Sequence, residues 1–141
     1  MADIASDLLD RILAHAAATP GREVCGLLLG HGDHVEQVEP CANVAADPTR
    51  HFEIDPSALI AAHRAARAGG AAVIGHYHSH PSGSAMPSAR DAADAAPDRA
   101  LWLIVAAGAV RAWRAVDAGA VEGRFAAEPL VILPDQDGGK G

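Results

Sequence analysis

The sequence contains few aromatic residues: Trp, Tyr and Phe make up 4% of its 141 residues, whereas apolar residues make up 50%. This apolar content is too high for a disordered chain. Because large aromatic side chains are scarce, the core must be built mostly from Ala, Val, Leu and Ile. The length is that of one domain with a single core.

Cysteine, positive charge and long apolar runs are also scarce. The two cysteines, Cys25 and Cys41, are too few for a disulfide framework and favour a cytoplasmic protein with reduced thiols. The net charge of -7 disfavours a nucleic-acid partner, since phosphate binding needs a basic face. No signal peptide is visible, and the longest apolar run, residues 100–110, is too short to span a bilayer. We therefore expect a cytoplasmic location, no nucleic-acid partner and no membrane.

Apolar periodicity and turn residues predict an α/β domain over residues 1–133, followed by a polar, Gly-rich and flexible tail over 134–141. Three helices are expected: residues 7–18 with Ser6 as N-cap, 56–68 with Asp55 as N-cap, and 89–95. Strands are expected at 24–29, 34–38, 51–54, 71–78, 101–106 and 110–116, with weaker candidates at 119–127 and 130–133.

The stretch from residue 75 to residue 91 carries a candidate metal site. His78 and His80 are two apart on a predicted strand, so their imidazoles point the same way. Pro81 ends the strand, Ser88 opens a helix after a loop, and Asp91 lies on the first turn of that helix. Two imidazoles and one carboxylate suit Zn²⁺ and leave one coordination position open, which is typical of a catalytic zinc.

A catalytic zinc lowers the pKa of its water to about 7, but a base must still take the proton and pass it to the leaving amine. Glu23 is the best candidate because it lies at the mouth of an apolar strand, although a solvated glutamate at a strand edge is the simpler alternative. Ser88 has two interpretations: a helix cap that forms a capping box with Asp91, or a donor to the oxyanion of a tetrahedral intermediate. The spacing by itself favours the cap.

His76 shares the alternation of His78 and His80, so it is a possible third imidazole ligand, but a strand histidine is more often packed in the core. Cys25 is interpreted as a small core residue, and Cys41 as a loop cysteine with no nucleophile signature. The remaining histidines are interpreted as surface or structural residues: His15, His31, His34, His51 and His63.

The combined pattern resembles the JAMM (MPN+) zinc metalloproteases, whose motif is Glu, then His-Ser/Thr-His, seven residues, Ser, two residues and Asp. Here the motif is Glu23, His78-Ser79-His80, residues 81–87, Ser88 and Asp91. The resemblance extends over about residues 8–106, including Glu-Val-Cys-Gly-Leu-Leu-Leu-Gly, the loop around an asparagine, and Phe-Glu-Ile-Asp-Pro. The chain is most similar to the short single-domain prokaryotic members.

The resemblance implies a JAB/MPN fold, a mixed curved β-sheet flanked by helices and similar to that of cytidine deaminases. It implies Zn²⁺ on His78, His80 and Asp91, with Glu23 as general acid/base and Ser88 as oxyanion stabiliser. It implies a hydrolase that cuts after the C-terminal Gly-Gly of a ubiquitin-like protein, in bacterial members a sulfur-carrier protein with a C-terminal cysteine or longer extension. A Gly-Gly tail suits this chemistry because it can lie extended in a narrow groove as an added strand.

Three other functions fit less well. A RadC-type, DNA-repair-associated module shares the segments His80-Pro-Ser-Gly and Pro87-Ser, but the acidic charge and the absence of a helix-hairpin-helix segment disfavour it. A non-catalytic MPN scaffold is disfavoured because every ligand of the motif is present. A nucleoside deaminase would also need a Pro-Cys-x-x-Cys segment, which the sequence lacks.

Overall fold

One mixed β-sheet forms the centre of the computed structural model, which describes residues 1–136. The elements follow in the order β1 (Ala2–Ala5), α1 (Ser6–Ala18), β2 (Cys25–His31), β3 (His34–Cys41), α2 (Pro56–Arg67), β4 (Ala72–Ser79), α3 (Ala89–Asp94), β5 (Leu101–Ala106), β6 (Ala109–Gly119), β7 (Gly123–Glu128) and β8 (Leu130–Leu133). Among the described residues, no helix has both the length and the hydropathy to cross a membrane.

The strand order is β7-β6-β5-β4-β2-β3-β1-β8, so β4 and β2 are the two central strands. β4 runs antiparallel to β2 and parallel to β5, while β1 runs parallel to both β3 and β8. β7 and β8 end the sheet on opposite sides, yet only Pro129 separates them in the chain. The sheet must therefore curl strongly, and the prediction of a mixed curved sheet flanked by helices is confirmed.

The two faces of the sheet bury different side chains, because successive strand residues point to opposite sides. Leu101 and Leu103 of β5 pack with Leu8 and Ile12 of α1 in an aliphatic cluster. The alternate face, which carries α2 and α3, holds an aromatic cluster that contains Trp102, Trp113 and Phe125, with Phe52 packed against it. The scarce aromatic residues are thus concentrated on the face to which the histidines of β4 belong.

Most of the predicted elements are confirmed, including α2, where the Asp55 carboxylate accepts the Ser57 N–H at 3.0 Å. The N-cap of α1 was wrong: Ser6 is the first helical residue, Ala5 precedes it without a side-chain cap, and the Ser6 hydroxyl contacts Asp135 instead. The predicted strand 51–54 is also wrong, since only the isolated bridge between Asn43 and Ile54 forms there.

Two further differences lie at the ends of the described chain. β1 was not predicted from the sequence, because its four residues are placed by pairing with β3 and β8 rather than by an apolar pattern of their own. Residues 137–141 of the predicted flexible tail 134–141 lie outside the described residues. Before that point, the Gln136 N–H donates to Asp7 at 3.1 Å and its side-chain amide donates to the Glu36 carbonyl at 2.9 Å.

Candidate active site

The C-terminal end of β4 brings His78 and His80 together. Their Nε2 atoms are 3.0 Å apart, and both side chains are buried. The Asp91 carboxylate on α3 lies 3.3 Å from the Nε2 of His78 and 3.1 Å from that of His80. Gly75 makes this arrangement possible, because a Cβ at that position would overlap the backbone of Leu101 on β5. The structure thus brings together the three ligands that the sequence predicted.

Asp91 is held by the start of its own helix. The Ser88 N–H donates to Asp91 Oδ2 at 2.9 Å, and Ser88 Oγ accepts the Asp91 N–H at 3.0 Å. This reciprocal pair is the capping box that the Ser-x-x-Asp spacing predicts. Because Ser88 Oγ acts as an acceptor in the cap, its hydroxyl proton remains available for another partner.

Glu23 lies just before β2 and faces the same histidines. One carboxylate oxygen of Glu23 and one ring nitrogen each of His78 and His80 lie within 4.8 Å of one another. The residue is only 6% exposed, and its Oε1 has no hydrogen-bond partner within residues 1–136. Burial raises the pKa of the Glu23 carboxyl to about 7; the charge of His80 lowers it and the charge of Asp91 raises it. Glu23 is therefore a buried acid that lies beside the imidazole pair and has one oxygen without a hydrogen-bond partner in the described chain.

Two polar side chains, those of Ser79 and Asn43, hold the segment that carries Glu23 in place. Their roles were not predicted from the sequence. Ser79 Oγ accepts the Val24 N–H at 2.9 Å, and the Asn43 amide donates to the Glu23 carbonyl at 2.9 Å. Asn43 also accepts the backbone N–H groups of Ala45 and Glu53, each at 3.0 Å. The role of Ser79 could have been predicted from its position between His78 and His80, because strand alternation turns its side chain to the opposite face of the sheet.

Burial and the Asp91 carboxylate together set the protonation of the two imidazoles. Burial lowers the pKa of His78, while for His80 the hydrogen bonds to Asp91 and to the Ser84 carbonyl outweigh burial and raise the pKa. Burial opposes ionisation of Asp91, but hydrogen bonds from His78, His80 and Ser88 hold the pKa of its carboxyl well below its usual range. The site thus pairs an ionised carboxylate with imidazoles whose Nε2 atoms face each other.

This donor set fits zinc. His80 Nδ1 lies 2.8 Å from the Ser84 carbonyl, and because a carbonyl can only accept, Nδ1 carries a proton and Nε2 is the ring nitrogen that can bind a metal ion once it is deprotonated. Ligand atoms about 2.0–2.2 Å from a tetrahedral zinc lie roughly 3.3–3.6 Å from one another. The separations of 3.0, 3.1 and 3.3 Å among the two Nε2 atoms and the Asp91 oxygen are close to that spacing and slightly shorter.

Aromatic side chains surround the imidazoles. The Phe52 ring stacks on His78, with a centroid distance of 4.2 Å and an interplanar angle of 22°. His76 packs edge-on against Trp102 at 4.2 Å, and burial lowers its pKa to about 3, so it is a neutral core histidine. In the part of the chain that the structure describes, His76 does not belong to the group of converging metal-ligand atoms.

The two cysteines lie outside this chemistry. Cys25 is buried in the core next to α2, and burial raises the pKa of its thiol to about 12. Cys41 lies opposite Cys25 on β3, and burial raises the pKa of this thiol as well. Neither thiol is therefore activated as a nucleophile.

A cavity of about 840 Å³ lies on the same face of the sheet as the histidines, between the loop over residues 45–54, α2 and β4. Phe52, His76 and Trp102 form its wall next to the candidate active site. A smaller cleft of about 380 Å³ borders His80 and is lined by apolar residues of α1 and the β5–β6 turn. His80 thus lines the smaller cleft, whereas the larger cavity meets the site at Phe52, whose ring stacks on His78.

Known proteins are similar to this chain in sequence. Residues 5–116 match the family described as prokaryotic homologs of the JAB domain. The chain is 39% identical over 105 residues to a desampylase from Haloferax volcanii, which covers 70% of this chain and 72% of that protein. It is also 39% identical over 88 residues to a probable TtuB-protein conjugate cleaving protease from Thermus thermophilus, which covers 62% of this chain and 59% of that protein.

Solved structures show the same architecture. The solution structure of protein DSY2949 from Desulfitobacterium hafniense superimposes with a TM-score of 0.80 and 27% identity, over 96% of this chain and 94% of that one. The crystal structure of AF2198, a JAB1/MPN domain protein from Archaeoglobus fulgidus, superimposes with a TM-score of 0.58 and 21% identity, over 93% of this chain and 99% of that one. At that identity the second similarity concerns the fold.

Proposed function

This chain belongs to the prokaryotic homologs of the JAB domain, and we propose that it is a zinc-dependent isopeptidase that releases ubiquitin-like proteins from their conjugates. It is a hydrolase of the JAMM type. The bond that we propose it cuts follows the C-terminal Gly-Gly of a ubiquitin-like sulfur-carrier protein. The leaving group is then a lysine side chain, a cysteine or a longer C-terminal extension.

One observation carries this proposal: Glu23, His78, His80 and Asp91 come from three separate parts of the chain and converge on one buried point. A structural role alone does not explain them, because buried acidic residues are costly unless they are paired or bind a cation. Glu23 has a free, buried oxygen within the described chain, which is the position a proton-transfer group needs.

We assign His78, His80 and Asp91 as the residues that hold the zinc ion. When bound, the ion supplies a Lewis acid and an activated water. Glu23 accepts a proton from the attacking water on its free carboxylate oxygen and then passes that proton to the leaving amine. The Ser88 hydroxyl donates its unused proton to the oxygen that becomes negative in the tetrahedral intermediate.

The substrate assignment draws on the relatives and on the groove. The relatives are named as a desampylase and a protease that cleaves TtuB-protein conjugates, which supports a ubiquitin-like protein as partner. The 840 Å³ cavity lies on the histidine-bearing face of the sheet and has room for an extended peptide. Glycine residues suit such a path because they bring no side chains into a narrow passage.

The test is cleavage of a ubiquitin-like sulfur carrier fused through Gly-Gly to a short C-terminal peptide, with the products identified by mass spectrometry. The wild-type protein loaded with zinc should release the carrier that ends in Gly-Gly. Glu23→Gln should retain zinc and fold normally but lose about 10²–10⁴-fold in kcat, because it cannot transfer the proton.

Glu39→Gln is the matched control, since Glu39 is an exposed glutamate on β3. The Glu39→Gln protein should cleave the fusion as wild type does. A fully active Glu23→Gln would contradict the role of Glu23 as acid/base. Failure of the wild-type protein to cut any Gly-Gly fusion, with zinc bound, would contradict the proposed reaction itself.

A further inference from the structure

Trp113 on β6 contacts the loop that joins His80 to Asp91, and neither the motif nor the proposed chemistry uses this residue. Its indole Nε1–H donates to the carbonyl of Ala85 at 3.1 Å. The Trp113 side chain is 1% exposed and Ala85 is half-buried, so this hydrogen bond is partly shielded from water. Removing the indole N–H would leave the Ala85 carbonyl without this partner in a partly desolvated position, which costs free energy.

The next carbonyl along the same loop orients a predicted ligand. Ser84 and Ala85 are adjacent, and the Ser84 carbonyl accepts the Nδ1–H of His80 at 2.8 Å. Because peptide units are planar, only the φ and ψ angles of Ala85 separate the two carbonyls, so fixing the Ala85 carbonyl restricts the directions that the Ser84 carbonyl can take. A hydrogen bond at Nδ1 selects the tautomer in which Nε2 has the free lone pair.

The same indole also supports the helix that carries Asp91. Trp113 belongs to the apolar cluster against which Ala92 packs, and Ala92 follows Asp91 in α3. α3 has only six residues, so it depends on such packing for its position. One side chain therefore contacts both the loop after His80 and the cluster beneath Asp91.

Arg111, two residues before Trp113 and exposed on the same strand, covers this arrangement from outside. Its guanidinium carbon lies 4.6 Å from the centre of the Trp113 ring, and its Nη1 donates to the Met86 sulfur at 3.0 Å. The cation over the ring and the contact with Met86 hold the outer part of the loop against β6.

We propose that Trp113 is a positioning residue for the metal ligands: through the Ala85 carbonyl it fixes the loop that holds His80 in the tautomer with Nδ1 protonated. The consequence for metal binding rests on the proposed function, whereas the effect on the tautomer concerns this chain alone. The indole N–H is the essential group, because phenylalanine would fill most of the same space without it.

The experiment uses metal-free protein labelled with ¹⁵N and compares wild type, Trp113→Phe and Phe125→Leu. Phe125 is a fully buried member of the same cluster, so its substitution perturbs the core without removing a hydrogen bond to the loop. In wild type and Phe125→Leu, the ring nitrogens of His80 should report a single tautomer with a slowly exchanging Nδ1–H. In Trp113→Phe this proton should exchange about tenfold faster or the two tautomers should mix, and zinc affinity in a competition titration should fall about tenfold.

An unchanged His80 tautomer, exchange rate and zinc affinity in Trp113→Phe would overturn the proposal, as would an equal change in Phe125→Leu. If Trp113→Phe does not fold, the wild-type protein decides: an indole proton of Trp113 that exchanges as fast as in an unfolded chain contradicts the hydrogen bond, and a protected one supports it. These readouts do not involve cleavage, so an inactive wild type would count against the proposed function and not against this role.

Discussion

Asp91 has two tasks within one side chain. Its Oδ2 accepts the Ser88 N–H at 2.9 Å, and the same carboxylate faces both imidazoles at 3.1–3.3 Å. Asp91→Asn should separate these tasks, because an amide oxygen in the place of Oδ2 can still cap α3, while the negative charge is lost and the NH₂ group takes the place of Oδ1, 3.3 Å from His78 Nε2. We expect a folded protein whose zinc content falls to background, measured by elemental analysis after purification without chelator.

Asp94→Asn is the matched control, since Asp94 lies on the same helix but is exposed and pairs only with Arg90 at 2.8 Å. It should retain zinc like wild type. Normal zinc content in Asp91→Asn would remove Asp91 from the proposed ligand set.

Single residues of the site differ in how well the sequence predicts them. The convergence of His78, His80, Asp91 and Glu23 could be predicted because their residue types and spacing together match the JAMM motif. The tasks of Asn43 and Trp113 could not be predicted, because they depend on partners far away in sequence. Asn43 holds the Glu23 carbonyl 20 positions back, and Trp113 holds the Ala85 carbonyl 28 positions back. An amide or an indole in isolation gives no indication of which backbone group it will meet.

At the scale of the element, α3 connects helix capping to the proposed chemistry. Ser88→Ala removes the cap and should lower the free energy of unfolding by about 1 kcal/mol, whereas Ser88→Gly should lower it by only a few tenths of that. Both variants remove the hydroxyl, so both should lose about 10²–10³-fold in kcat if it stabilises the oxyanion.

Chemical denaturation and the Gly-Gly fusion assay together separate the two tasks of Ser88. A Ser88→Gly variant with wild-type kcat would leave the residue as a helix cap alone. A loss of activity that scales with the loss of stability across the two variants would lead to the same conclusion.

The elements that the sequence predicted well have strong local signals. α2 begins at Asp55-Pro56, where the cap and the first helical residue are both specified locally. β1 was missed because its four residues form a strand only through partners at residues 34–35 and 130–133. The segment 51–54 was wrongly predicted as a strand because its apolar residues alternate. In the structure the Phe52 ring stacks on His78, and a single bridge, between Asn43 and Ile54, forms there.

At the scale of the whole molecule, Arg114 connects distant parts of the curled sheet. From β6 it donates to Glu128 on β7 at 3.0 Å, to Asp33 in the β2–β3 turn at 2.7 Å and to the Arg99 carbonyl at 3.0 Å. The side chain is 14% exposed, and its loss removes the arginine partner of Glu128, whose side chain is 10% exposed, whereas Asp33 is 54% exposed. Arg114→Met should lower the free energy of unfolding by about 2 kcal/mol, measured by urea denaturation.

Arg11→Met provides the comparison, because Arg11 is exposed on α1 and its substitution should change stability by less than about 0.5 kcal/mol. Zinc content should remain normal in both variants, since neither arginine touches the candidate active site. Equal stability of the two variants would show that the curled sheet does not depend on this network.

The strand order has a consequence for motion during turnover. β4 and β2, which lead to His78, His80 and Glu23, each have three strands between them and the nearer edge of the sheet. Native proteins unfold locally most readily at edge strands and chain ends. Interior strands are the most stable, and their amide hydrogens exchange only when the whole domain unfolds. Transient loosening of β8 therefore leaves the proposed ligands in place, whereas loosening of β7 reaches Asp91, because Phe125 of β7 belongs to the cluster against which Ala92 of α3 packs.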